Sequence, residues 1–457
     1  MRSAEGCAVS GARGQGEVAA TQMSQQSSIR PATGGESVGK RESFQPPRGS
    51  RLDYLDAVRA IAIIGMVLTH IGMYAKVPVV VEFVASGRAS ITFAVLAGIS
   101  AVFMARSASR RAGHPDPNTI TRDGQMTIVK RSLALLVAGL LLSAISFGPM
   151  VILTTYSVLL LLAAVVLKIR RTSVLMILTA LAAVITPLLS FGLRTIFPPV
   201  DELMVPSVLE LTSVEGLLAN VRVLLLYGFY PVLTWIPFLL AGLVLGRVVT
   251  SDKPRFRVML GVGAGLAAIS YAISLAVRFF TTFDAERRAA YEIYRQDSIA
   301  RQDSIAHLGF GGAAPEYSWM QTESGTTRID DIRSLLVAAP HSGSITEILG
   351  GIGVTAILIA CMALIWRFAG PYLKPLATMG RASLTYYVGH ILVLDVLLLL
   401  GLAGVDTELG LGVMLLILVV APMIIAHFWF RKFKRGPLEW CMHKVAYLGV
   451  GEQGTKA

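Results

Sequence analysis

The sequence predicts an all-α integral membrane protein with about ten transmembrane helices and both termini in the cytosol. Three observations predict this. Hydrophobic residues make up 54% of the 457 and charged residues 15%, whereas a soluble globular protein carries about 25% charge. Ten stretches are mainly apolar and near the ~20 residues needed to cross a bilayer. Basic residues divide unequally between the connections, with 29 of the 41 Lys and Arg on the side of the N-terminus and 11 on the other. Such a bias is the usual signature of membrane orientation.

The ten stretches lie near 54–75, 89–106, 128–146, 150–168, 173–191, 229–249, 257–279, 346–368, 384–404 and 409–430. Residues 51–445 thus form one polytopic domain. Before it, residues 1–50 are rich in Gly, Ser, Gln and Glu and bury too little apolar surface to offset the entropy of ordering, so they read as a disordered cytosolic tail. They contain no apolar core of the kind a signal peptide needs. Residues 446–457 read as a short cytosolic tail. Pro231 and Pro237 interrupt the sixth stretch, a break that neighbouring helices can re-satisfy. Two connections on the outer side are long, about 192–228 and 280–345. In the first, Val214–Leu226 reads as an interfacial amphipathic helix. In the second, 283–297 reads as a charged surface helix, overlapping a tandem duplication, Arg295 to Ala300 and Arg301 to Ala306, that reads as slippage in a tolerant loop.

The net charge of +12 separates along the same lines. The cytosolic segments sum to +19, the outer ones to −6 and the membrane to −1. Charge is therefore an orientation signal, and no nucleic-acid partner is expected. Cys7, Cys361 and Cys441 form neither a disulfide framework nor a zinc site, and no metal is expected. The chain lacks HExxH, P-loop and GxSxG patterns. The run Gly261 to Gly265 lies within an apolar helix with no preceding strand, so it reads as helix packing.

Three charges remain inside the membrane: Asp56, Arg59 and Asp395. Asp56 and Arg59 are three apart and can pair on one helix face. His70, eleven residues beyond Arg59, falls on the same face about 16 Å further along. Ionisable groups within a membrane are costly and usually face a cavity or one another. The ninth stretch carries Arg381, Tyr386, Tyr387, His390 and Asp395. His390 is expected in the cytosolic half, His70 in the outer half, and Asp395 within reach of Arg88. The segments at Gly87-Arg88-Ala-Ser and Gly380-Arg381-Ala-Ser echo one another, a match short enough to arise by chance. His114, His307 and His341 are expected to be solvated in loops, and His427 and His443 to be interfacial.

Leu55-Asp56-Ala-Val-Arg59-Ala-Ile-Ala followed by Thr69-His70 resembles the opening of the transmembrane acyltransferases. It is similar to that of acyltransferase family 3 and of the heparan-α-glucosaminide N-acetyltransferase catalytic domain. Tyr387-Val-Gly-His390 is similar to a run in the same group. Pro237 to Arg247 and Arg435-Gly-Pro-Leu-Glu-Trp440 resemble a bacterial family of unknown function, number 418. Ala60 stands where the opening usually has glycine. The resemblance implies transfer of an acyl group, usually acetyl, from cytosolic acyl-CoA to a hydroxyl or amine of an outer glycan or lipid.

On that basis His70, His390 and Asp56 are the expected catalytic residues, with His70 as general base, since an imidazole titrates near neutral pH. Arg59, Arg381, Tyr386 and Tyr387 are expected to bind the acyl-CoA, because guanidinium suits phosphate. Arg88, Asp395 and Tyr156 are expected to bind the acceptor. The bilayer of the plasma membrane is the expected surrounding, and a homo-oligomer is left open. The competing readings are a permease using Asp56, Arg59 and Asp395 for coupling, and a non-catalytic membrane scaffold.

Overall fold

The computed structural model describes residues 52–72, 78–111, 120–146, 148–197, 204–289, 292, 296, 325–402 and 408–448. The chain divides into two units, Met1–Phe44 and Gln45–Ala457, and every described residue lies in the second. His114, His307, most of the 295–306 duplication and both tails fall outside the described residues.

Among the described residues there are helices and no strands. Helix α1 spans Asp53–Gly72, α2 Val79–Ala85, α3 Arg88–Arg111, α4 Arg122–Ile145, α5 Leu153–Val166 and α6 Thr172–Ile196. After them come α7 at Val214–Arg222, α8 at Val232–Val249 and α9 at Phe256–Phe280. The last elements are α10 at Ile345–Gly380, α11 at Ser383–Leu399, α12 at Glu408–Leu415, α13 at Ala421–Lys432 and α14 at Pro437–Ala446. A π-helical turn, Leu416–Val420, joins α12 to α13.

Eight helical spans are long and apolar enough to cross a membrane, α12 and α13 counting as one at Leu409–Lys432. The shorter apolar helices α5 and α11 coincide with the remaining two apolar stretches. This is a multi-pass helical membrane protein. In the first long connection the helix expected at Val214–Leu226 is present. There α7 runs into a π-helical turn at Val223–Tyr227, with Val214, Leu217, Leu218 and Val221 exposed, as an interfacial helix requires. In the second, 283–289 is helical.

Burial sorts the spans into a centre and a periphery. Helices α1, α3, α8 and α10 are 61–72% buried across their apolar windows, whereas α4, α6, α9 and Leu409–Lys432 are 17–28% buried. The peripheral helices turn rows of Leu, Ile and Val outward, where lipid is as apolar as they are. Close helix packing in such a setting relies on small residues rather than on expelling water. Between α3 and α8, a side chain on Gly98 would come 2.6 Å from the carbonyl oxygen of Leu239, and one on Gly242 would overlap that of Val95. Gly263 meets Gly353 of α10 in the same manner, while Gly261 and Gly265 have open space. Only the middle glycine of that run therefore packs a helix.

The contact that matters most for the site is at the end of α10. A side chain on Gly380 would overlap the carbonyl oxygen of Asp56, with the amide of Ala60 nearby. Arg381 then closes α10 and α11 begins at Ser383. Glu439, in the first turn of α14, caps that start: its Oε1 accepts from the amides of Leu384 (2.6 Å) and Thr385 (3.1 Å), and its Oε2 from the Thr385 hydroxyl (2.6 Å). Carboxylates suit helix N-termini through both hydrogen bonds and the dipole.

Replacing Gly242 by leucine is expected to destabilise the protein by about 1–3 kcal/mol through overpacking. Gly261→Leu is expected to change little. Thermal unfolding of the two variants in detergent checks the contrast.

Candidate active site

Helix α1 carries Asp56, Arg59 and His70 along one side, as the spacing predicts. Arg59 pairs with Asp56 and donates to Ser100 Oγ of α3 at 2.9 Å. Asp56 is 1% exposed. The pair lies about eleven residues from His70, or ~16 Å along the helix. Arg131 of α4 interacts electrostatically with both Arg59 and Glu439, so basic groups from three helices, Arg59, Arg131 and the Arg381 cap, gather toward this end. Arg381 lies over the Phe430 ring (4.3 Å) and donates to the carbonyl of Lys434 at 3.4 Å.

At the other end of α1, His70 meets His390. Nδ1 of His70 is 3.1 Å from Nε2 of His390, and the rings stack at 5.3 Å, 11° from parallel. The sequence placed these two residues at different depths. The structure corrects this: Gly380 seats the end of α10 against Asp56 and Ala60, and α11, which begins at Ser383, brings His390 beside His70.

The Nδ1 of His390 is 3.3 Å from the carbonyl oxygen of Tyr386, one turn back in α11. The two adjacent tyrosines diverge. Tyr386 bonds the Leu418 carbonyl in the π-helical turn, so its hydroxyl braces the bundle. Tyr387 is 1% exposed, packs edge-on to His390 at 5.4 Å and accepts from the amide of Ile152 at 3.1 Å. Phe93 stacks between Tyr387 (6.1 Å) and Tyr156 (5.4 Å), and the Tyr156 hydroxyl donates to the Ser90 carbonyl at 3.2 Å. Tyr387 thus walls the histidine pair, and Tyr156 backs it through Phe93.

Two expected acceptor residues sit elsewhere. Asp395 accepts from the amide of Gly148 at 3.2 Å, which ties α11 to the connection before α5. Arg88 donates to the hydroxyl of Tyr271 (3.1 Å) and to the carbonyl of Ser86 (3.1 Å), beside Glu347 in a small polar cavity.

A third histidine joins the pair. His341 is not a solvated loop residue. Its ring lies 4.5 Å from Phe229 and 5.6 Å from Tyr230, and it is close enough to His70 to act on it electrostatically. Burial pushes its imidazole down to about 3. Its backbone has φ of +58°, the one positive value for a non-glycine among the described residues. Glu347 holds that turn, accepting from the amides of His341 (2.5 Å) and Gly343 (2.6 Å) and from the Ser342 hydroxyl (3.1 Å). The signal that could have found it is Ser344-Ile-Thr-Glu347, a capping-box sequence, in which Ser344 Oγ accepts from the amide of Glu347 at 3.0 Å.

The rest of 325–344 is strapped down too. Arg194 donates to the Thr327 carbonyl (2.5 Å) and hydroxyl (3.0 Å), and Ser274 Oγ accepts from the amide of Ala338 at 2.9 Å. Arg333 pairs with Glu286 (2.5 Å) and Asp331 (2.9 Å).

Fold and site together define a multi-pass helical membrane protein with a histidine pair in its centre and a third histidine beside it. Comparison with known families goes further. The family model "Heparan-alpha-glucosaminide N-acetyltransferase, catalytic" matches residues 51–274, and "Protein of unknown function (DUF418)" matches residues 328–449. Together they support the transmembrane acyltransferase-like superfamily, and the first points to membrane acetyltransferase-like chemistry. No curated protein matches the chain.

The low value of His341 gives the strap a pH dependence. An unfolded histidine titrates near 6.5, so protons favour the opened strap as pH falls from about 6.5 toward 3. Glu286 is held down by hydrogen bonds from Thr282 and Arg333, and Asp331 by its hydrogen bond from Arg333; Asp330 is held down by Arg328. These carboxylates are thus held in their ionised form and add no opposing titration. Protection factors of the 325–344 amides, which divide out the intrinsic pH dependence of exchange, are therefore expected to fall between pH 7 and 5, and His341→Asn to flatten the difference.

Proposed function

We propose that the chain is a membrane-embedded acyltransferase. It moves an acetyl or other short acyl group from acyl-CoA in the cytosol to a hydroxyl or amine of a glycan or lipid on the opposite side, with His70 as general base. In this reading ten helices span the plasma membrane and both termini are cytosolic. The hydrogen-bond chain through the histidines carries the proposal. A backbone carbonyl only accepts, so the Nδ1 of His390 facing Tyr386 bears the proton. Its Nε2 is then a lone pair and accepts from Nδ1 of His70. This leaves the lone pair of His70 on Nε2, which has no hydrogen-bond partner among the described residues. Second-ring hydrogen bonds commonly set the tautomer of a catalytic imidazole in this way.

The proton of the acceptor passes to His70 Nε2 as its oxygen or nitrogen bonds to the acyl carbon. The carbon–sulfur bond breaks, and the imidazolium returns the proton to the departing thiolate. His390 is a positioning residue in this scheme, and Tyr387 and Tyr156 wall off water. Arg59, braced by Asp56, acts with Arg131 and Arg381 on the CoA phosphates. Their distance from His70 suits a co-substrate whose phosphates and thioester lie far apart. The family name carries glucosaminide as the first acceptor to try. The permease reading relied on Asp56, Arg59 and Asp395 as coupling groups. An ion pair between Asp56 and Arg59, a bond from Arg59 to Ser100 and one from the Gly148 amide to Asp395 brace helices and lend that reading no specific support.

Purified protein incubated with radiolabelled acetyl-CoA tests the proposal. Wild type is expected to bind it and release CoA. His70→Ala is expected to lose about 10²–10⁴-fold in turnover, the range for a general base, while acetyl-CoA binding persists. Arg59→Ala is expected to weaken binding instead. A wild type that neither binds nor turns over acetyl-CoA, or a fully active His70→Ala, overturns the reading.

A further inference from the structure

We propose that His341 is the acceptor-binding residue of this site, an imidazole delivered by the 325–344 strap that hydrogen-bonds the nucleophilic hydroxyl or amine beside His70. The assignment rests on the acyl-transfer reading above.

Four observations converge on it. First, its position is fixed. Phe229 and Tyr230 flank the ring, and Tyr230 is itself packed edge-on against Trp235 at 5.2 Å. Second, its backbone conformation is held against preference. A non-glycine residue at positive φ is uncommon, and such strain gathers at functional positions. Here three hydrogen bonds to Glu347 impose it on the turn.

Third, its hydrogen-bonding capacity is unspent. Neither ring nitrogen has a hydrogen-bond partner among the described residues, although two aromatic rings flank it and the residue is only partly exposed. The turn that carries it abuts Gly87, where a side chain would come 3.3 Å from the His341 amide, and the flanking Ala85 and Ala89 lie against Gly65 of α1, five residues before His70, so His341 and His70 belong to one locality. Fourth, the imidazole stays neutral through the ordinary pH range because burial disfavours its charged form. A neutral imidazole offers one donor and one acceptor, which matches a hydroxyl or amine. An imidazolium there would oppose proton uptake by His70.

The roles are therefore divided. His70 takes the proton, and His341 holds the group that gives it up. Because the His341 turn lies by the His70 end of α1, about 16 Å along the helix from Arg59, His341 serves the acceptor and not the acyl donor.

The test uses full-length protein in detergent with acetyl-CoA and hydroxylamine, a nucleophile small enough to need no further recognition. Acetohydroxamate reports transfer and free CoA reports total turnover, each corrected for the uncatalysed reaction. Two variants separate the imidazole from the backbone. His341→Gly keeps the left-handed conformation and removes the ring. His341→Asn tolerates that conformation and keeps a donor and an acceptor. His341→Gly is expected to raise KM for hydroxylamine on the order of tenfold, the scale of one lost hydrogen bond, with KM for acetyl-CoA unchanged. His341→Asn is expected to recover most of that loss.

Equal hydroxylamine KM values in wild type and His341→Gly overturn the assignment. So does a rise in both KM values that asparagine fails to rescue, which marks a structural role. Wild type that hydrolyses acetyl-CoA but forms no hydroxamate keeps the acyl-transfer reading and overturns this one. Wild type inert toward acetyl-CoA overturns both.

Discussion

The bare backbone contact between Gly380 and Asp56 sets the register on which the rest of the site depends. Helix α10 is 36 residues long, more than a bilayer requires, and its end is fixed only where it touches another helix. With no side chain at 380, it seats against the first turn of α1. Glu439 then fixes where α11 begins. Those two constraints hold the helix that carries His390 against the one that carries His70. A shift of one turn, about 5.4 Å, would separate rings that now stand 3.1 Å apart at their nitrogens.

A second constraint comes from the solvent. Lipid offers no hydrogen bonds, so polar groups within the bundle must be satisfied by the chain itself. The central helices show how. Thr92 and Thr355 bond across α3 and α10 at 3.0 Å. Thr155 donates to the carbonyl of Tyr230 at 2.7 Å, where Pro231 precedes α8. Gln125 donates to the Ala164 carbonyl at 2.7 Å.

Much of the fold was legible in the sequence. A run of twenty apolar residues has few alternatives in a bilayer, so the helices at 54–75 and 409–430 were placed within a few residues. The Asp56–Arg59 pair followed from a three-residue spacing, and His70 and His390 were both singled out. What sequence could not show is how helices far apart in the chain dock. Tyr386 and Tyr387 looked alike in sequence, yet a rotation of about 100° sends one to a brace and the other to the site. Asp395 looked like an acceptor ligand, but its Gly148 contact depends on a connection that spacing does not fix. His341 was missed because a polar segment between spans reads as exposed. Its burial depends on Phe229 and Tyr230, more than a hundred residues earlier.

The site is shared between two stretches of chain. His70, Phe93, Tyr156, Phe229 and Tyr230 belong to the segment that matches the acetyltransferase family, whereas His341, Tyr387 and His390 belong to the segment that matches the family of unknown function. Each stretch therefore supplies part of the candidate site, and the imidazole contact is the seam between them. The two halves are under a joint constraint: any drift in one that moves its ring must be answered in the other, so they are bound to change as partners and not as modules.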